Sequence, residues 1–146
     1  MKPKTPKTFP RVNFKTPKAT LALLAAIILV YFWYSQGTFF LPSGFLNSMS
    51  LAPESIATVF TYLFLHIGII HLTGNAVSLL AFGSITEQVL SPKDVLGVFL
   101  VSGVSAGLLF ALINPGTLLA GASAGIAGLM TASVLLKPKH ALVALI

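Results

Sequence analysis

Four long apolar stretches, set apart by short polar punctuation, dominate the chain. They cover residues 20–34 (continuing weakly to 41), 56–82, 95–113 and 117–136, and a fifth starts at Ala141 and reaches Ile146. The second contains no charged residue. Runs of about 20 apolar residues match a hydrocarbon core of about 30 Å. In lipid such segments must be helices, because an open strand edge would leave backbone groups without partners. The pattern predicts an all-α fold: a polytopic helical membrane protein with four complete spans and the start of a fifth.

Composition supports the same picture. Hydrophobic residues make up 55% of the 146 and charged residues 8%, and the mean hydropathy is +0.93. A water-soluble domain of this size has too small a core to hide so much apolar surface. The absence of cysteine excludes disulfides and thiolate metal sites. The net charge of +6 would suit nucleic acid, but no aromatic stacking pattern accompanies it. Six of the nine basic residues (Lys2, Lys4, Lys7, Arg11, Lys15 and Lys18) precede the first apolar run. Residues 1–18 therefore read as a disordered basic tail beside the membrane, able to touch anionic lipid, and residues 19–146 as the transmembrane domain.

A cleaved signal peptide is the other reading of the first run. The basic region is long for one and no small-x-small cleavage site follows. Tyr31, Phe32, Trp33 and Tyr34 look like an interfacial aromatic belt, which favours a retained span. Alternating the spans from a cytoplasmic tail puts the loop carrying Glu54, and the Asn114-Pro115-Gly116 turn, outside. Lys93, Lys137 and Lys139 fall inside. All nine basic residues then lie on one side, so the amino terminus is expected in the cytoplasm.

Polar side chains at membrane depth are costly and mark candidate sites. In LFLHIGIIHLTGN, His71 and Asn75 are four apart and share a helix face, which Gly68 and Ser78 extend. His66 lies off that stripe, nearer the outer end, as a loop or capping residue. His71 and Asn75 fit interhelical hydrogen-bond glue and also fit chemistry; a metal site lacks a carboxylate or third histidine at suitable spacing. In the fourth run, Gly121, Gly125, Gly128 and Ala132 form a small-residue stripe for close helix packing. Ser123 lies about 200° around the helix from Gly121. A serine at a helix amino terminus suits acyl transfer, because nearby N–H groups can hold an oxyanion. From Ser123 to Leu136, and from His71 to Gly83, the helix rises about 20 and about 18 Å. Ser123 and His71 are therefore expected at similar depth.

Taken together, Thr61-Tyr62-Leu63-Phe64-Leu65-His66, His71-Leu72, Asn75, Gly83, Glu87 and Gly121-Ala122-Ser123 resemble a rhomboid intramembrane serine protease. The resemblance spans roughly residues 51–130. It implies Ser123 as nucleophile, with His71, Asn75 and the Ser123 backbone N–H at the oxyanion. It implies a structural His66 and Glu87, and a Gly121 that lets substrate backbone approach. It further implies transmembrane protein substrates cut near their outer ends, without metal or cofactor. Three features depart from the family pattern. Ala124 stands where glycine usually follows the nucleophile. Ala127 stands where an aromatic often packs on the catalytic base. The histidine base of a later helix has no counterpart in the 23 residues after Ser123, where His140 falls on the opposite side. The sequence is accordingly expected to be an amino-terminal fragment, inactive by itself. A non-catalytic rhomboid-like protein that binds membrane helices is the alternative. An unrelated channel or transporter lacks the membrane-embedded carboxylates it would use.

The charge placement makes a topological prediction. Cysteines introduced at Ser43 and Gly116 should react with an impermeant maleimide on intact cells, and one at Lys139 only after permeabilisation. Labelling of position 139 on intact cells would reverse the orientation.

Overall fold

The computed structural model describes residues 15–35, 57–138 and 140. Most of the expected tail, the loop with Glu54 and the fifth apolar run lie outside the described residues. Helix α1 is Lys18–Ser35. Its buried positions Ala19, Leu23, Ile27, Tyr31 and Tyr34 recur every three or four residues and make one inward seam. Leu29, Phe32 and Trp33 face outward at 68, 56 and 73% exposure. The expected aromatic belt is thus divided: Phe32 and Trp33 are outside, whereas Tyr31 and Tyr34 are core.

The second run is not one helix, contrary to the reading of its pattern. Helix α2 (Thr58–Thr61) passes into a 3₁₀ turn, Tyr62–Phe64. The chain is then extended at Leu65 (ψ 143°) and Gly68 before α3, Ile69–Ser78. A break at this depth exposes backbone groups that must find partners. Tyr34 supplies them: its hydroxyl donates to the His66 carbonyl at 2.9 Å and accepts from the His66 N–H at 2.7 Å. A turn of π-helix, Leu79–Gly83, and the short helix α4, Ser84–Glu87, complete the span.

Glu87 is buried and ties this span to α1. Its carboxylate accepts from the backbone N–H groups of Ala19 (2.8 Å) and Thr20 (2.9 Å) and from the Thr20 hydroxyl (2.9 Å). The orphan amides of a helix amino terminus are thereby satisfied by a charge that the helix dipole favours. Next to it, the Gln88 amide holds Lys15 by both backbone groups, at 2.8 and 3.0 Å. Residues 15–18, which have the composition of a disordered tail, are consequently anchored. Gly83 allows the close approach, since a Cβ there would lie 2.8 Å from Thr20 Cγ2.

Helix α5, Pro92–Ile113, opens with proline in its first turn and a Ser91/Asp94 capping box. Gly103 and Gly107 admit Leu63 and Tyr62 against it, and the Tyr62 hydroxyl donates to the Gly103 carbonyl at 2.6 Å. Helix α6, Ser123–Leu136, packs on α5 through Gly125 against Phe99 and Gly128 against Ser102. The Thr86 hydroxyl sits 2.8 Å from the Phe82 carbonyl and 3.1 Å from that of Leu129, bridging the second span to α6. Three helical segments among the described residues are long and apolar enough to cross a membrane: Lys18–Ser35, Ile69–Glu87 and Pro92–Ile113. The fourth run departs from expectation. Residues 117–122 are not helical, and α6 has only 14 residues, about 21 Å.

Removing the Glu87 carboxylate strands three donors in a buried position, at about 1–3 kcal/mol each. Glu87→Ala should lower the unfolding temperature in detergent markedly, and Glu87→Gln, which keeps one acceptor oxygen, by less. Ala and Gln variants that both melt like the unaltered chain would remove the cap from the stability account.

Candidate functional site

The end of the bundle opposite Glu87 gathers the candidate residues. The segment before α6 is fixed by its backbone: the Gly121 N–H donates to the Tyr62 carbonyl at 2.8 Å. Gly121 has φ +127°, a conformation that L side chains rarely adopt. It is also packed tightly. A Cβ at this position would lie 2.7 Å from His71 Cε1, 2.8 Å from His71 Nε2 and 3.5 Å from Asn75 Nδ2. Backbone of the loop, imidazole and amide therefore meet with no room for a methyl group. The reason is local: α3 carries His71 and Asn75 one turn apart, and the Tyr62 carbonyl, which accepts from the Leu65 N–H at 3.2 Å, accepts from Gly121 as well.

Ser123 is the first residue of α6 and is exposed. It stands two residues after Gly121, beside the first-turn amides that an α-helix leaves without internal partners. Asn75 is 8% exposed, and its Nδ2 has no hydrogen-bond partner. His66 is fully buried, with neither ring nitrogen hydrogen-bonded. Its ring meets that of His71 edge-on, with centroids 5.1 Å apart at 60°. Buried polar atoms are nearly always satisfied, so unpaired ones concentrated in one place call for a specific account. An unpaired N–H donor such as the Asn75 amide can receive an oxygen that carries negative charge.

The structure brings together His66, His71, Asn75 and Gly121, with Ser123 following directly. It does not bring His140 there: that residue is exposed beyond the far end of α6, its N–H donating to the Lys137 carbonyl at 3.0 Å. Two details of the sequence reading are corrected. Gly121 precedes α6 and lies on His71, so it is not part of a helical stripe with Gly125 and Gly128, which pack on α5. Gly68 precedes α3 and does not extend its face. Tyr34 and Tyr62 are support residues that the sequence pattern does not reveal; both act through backbone partners, to which helical periodicity is blind. Among the described residues no group of three or more His, Cys, Asp or Glu could hold a metal.

A family model described as the Rhomboid domain matches residues 53–144. The chain belongs to the rhomboid family. The match takes in His66, His71, Asn75, Gly121 and Ser123, and the rhomboid assignment agrees with a helical bundle bearing membrane-spanning segments. Comparisons with curated proteins and with solved structures returned no match.

Two glycines with positive φ separate conformational cost from steric cost in this rhomboid. At Gly116 (φ +78°) an added Cβ would meet nothing within 4 Å, whereas at Gly121 it would abut His71. Gly116→Ala should cost about 1–2 kcal/mol, and Gly121→Ala clearly more. Equal shifts in unfolding temperature would mean that the His71 contact relaxes freely.

Proposed function

We propose that this rhomboid is an intramembrane serine endopeptidase, with Ser123 as nucleophile and His71, Asn75 and the Ser123 N–H as oxyanion donors. The observation that carries the reading is the buried Asn75 amide, whose N–H is unused beside Gly121 and His71, two residues from an exposed serine at a helix amino terminus. In the first step Ser123 Oγ attacks the scissile carbonyl carbon and its proton passes to a base. The carbonyl oxygen becomes an alkoxide held by the N–H donors. The C–N bond then breaks, the amine leaves with the proton, and water hydrolyses the acyl-serine. No group within residues 1–146 is assigned as the base: His71 is placed at the oxyanion, His66 is buried beneath it, and His140 is at the other end of α6.

The substrate class is transmembrane protein helices. Ser123, Ala127, Met130 and Val134 lie along one exposed side of α6, an apolar surface on which such a helix can lie. The amino-terminal tail is assigned to the cytoplasm and Ser123 to the outer half of the bilayer. No metal or cofactor takes part in the proposed step.

The test is a liposome cleavage assay with a transmembrane substrate, comparing residues 1–146 with a form that includes a carboxy-terminal histidine-bearing helix. Only the longer form should cleave, and Ser123→Ala should abolish it. Asn75→Ala and His71→Ala should each reduce turnover by roughly 10²–10³-fold with folding retained. Parallel losses of stability and turnover would return these residues to a packing role. Binding of substrate without cleavage by the longer form would favour a non-catalytic, helix-binding rhomboid.

A further inference from the structure

The other end of the bundle contains an open cleft of about 630 Å³ that the protease reading does not use; Lys15, Lys18, Glu87, Val89, Leu90 and Ser91 contribute to its walls. From this geometry we infer a binding site for the headgroup of an anionic phospholipid, with its phosphate between the ammonium groups of Lys15 and Lys18. The inference is independent of any catalytic role for Ser123.

The charge balance favours an anion. Lys15 and Lys18 are exposed, and neither has a carboxylate partner within ion-pair distance among the described residues. Glu87 does line the cleft, but three donors from α1 occupy its carboxylate. Asp94, next along α5, is bound to the Ser91 N–H and hydroxyl in the capping box. Both carboxylates keep their charge but pair with neutral donors and not with a lysine, so the cleft lining carries two cations against the one anion of Glu87. The lysine backbones are held in place, because Gln88 binds the Lys15 N–H and carbonyl and Lys18 opens α1.

The position favours a lipid over a free anion. The cleft sits where α1 begins, the second span ends and α5 begins, so it marks the level at which apolar surface gives way to water. Val89, 42% exposed, and Leu90 supply an apolar wall. The volume is that of a small-molecule site, typically about 300–1,000 Å³, and exceeds what a lone phosphate fills. A phosphodiester with a glycerol backbone matches both the cations and the wall.

The full 146-residue chain in neutral detergent can be tested by native mass spectrometry with phosphatidylglycerol, phosphatidylcholine and inorganic phosphate. Phosphatidylglycerol should be retained over phosphatidylcholine. The Lys15→Gln/Lys18→Gln variant should lose that preference by roughly 30-fold, on the scale of two interfacial lysines. Lys15→Arg/Lys18→Arg should keep it, and so should Lys2→Gln/Lys4→Gln/Lys7→Gln. Circular dichroism checks that each variant is folded. The site is overturned if the first variant binds phosphatidylglycerol normally, if the arginine variant fails to, or if the tail variant loses as much. Displacement of the lipid by millimolar inorganic phosphate would overturn the assignment to a lipid in favour of a soluble anion.

Discussion

A single buried carboxylate joins the first span to the second. The amino end of α1 needs acceptors for its first amides, and at the edge of a membrane water meets that need only in part. Glu87 supplies both oxygens from the end of the second span, and Gln88 secures the residue three before α1. The antiparallel pairing of the two spans follows, as does their depth relative to each other. At the opposite end the same pair is closed by the Tyr34 hydroxyl on the His66 backbone. With both ends pinned, the break between Leu65 and Gly68 is fixed in place and cannot fray.

The candidate site is built on that fixed break. Tyr62 stands before it and offers its carbonyl to Gly121, while His71 and Asn75 stand after it and press on the same glycine. The segment leading into α6 is thus held from both sides of the break, and Ser123 inherits its position from Gly121. Glycines on α5 and α6 perform a different task. They shorten the distance between helices, so that Tyr62, Leu63, Phe99 and Ser102 fill the space where side chains would otherwise stand. The two classes of glycine look alike in sequence and differ in the structure by the sign of φ and by what they touch.

Much of the fold was legible because bilayer physics restricts the choices. Apolar length indicated spans, and α1 and α5 lie close to the residues expected. The shared face of His71 and Asn75 was legible from their spacing. The rest depended on partners distant in sequence. Nothing in TYLFLHIGIIH marks a helix break until Tyr34 is known to satisfy it. Residues 117–122 are apolar enough to be helix, but Gly121 bonds to Tyr62 and the helix starts at Ser123. Residues 15–18 carry the composition of a tail, and the Gln88 side chain on Lys15, with the backbone bonds of Thr16 and Pro17, makes them structure.

The π-turn at Leu79–Gly83 sets the angular phase of the second span. From Asn75 to Glu87 is twelve residues, which in an unbroken α-helix would leave the two about 120° apart. The wider turn takes up one extra residue, returning about 100°, so that they end about 20° apart. Both are buried: Asn75 towards Gly121 and Glu87 towards α1. The span therefore works as a calibrated spacer in which chain length between Ser78 and Ser84 matters more than side-chain identity. Deleting one residue there would let the segment close as plain α-helix, with the two residues still about 20° apart. Inserting a further one would rotate the lower half by about 100° and keep Glu87 and Asn75 from both reaching their partners.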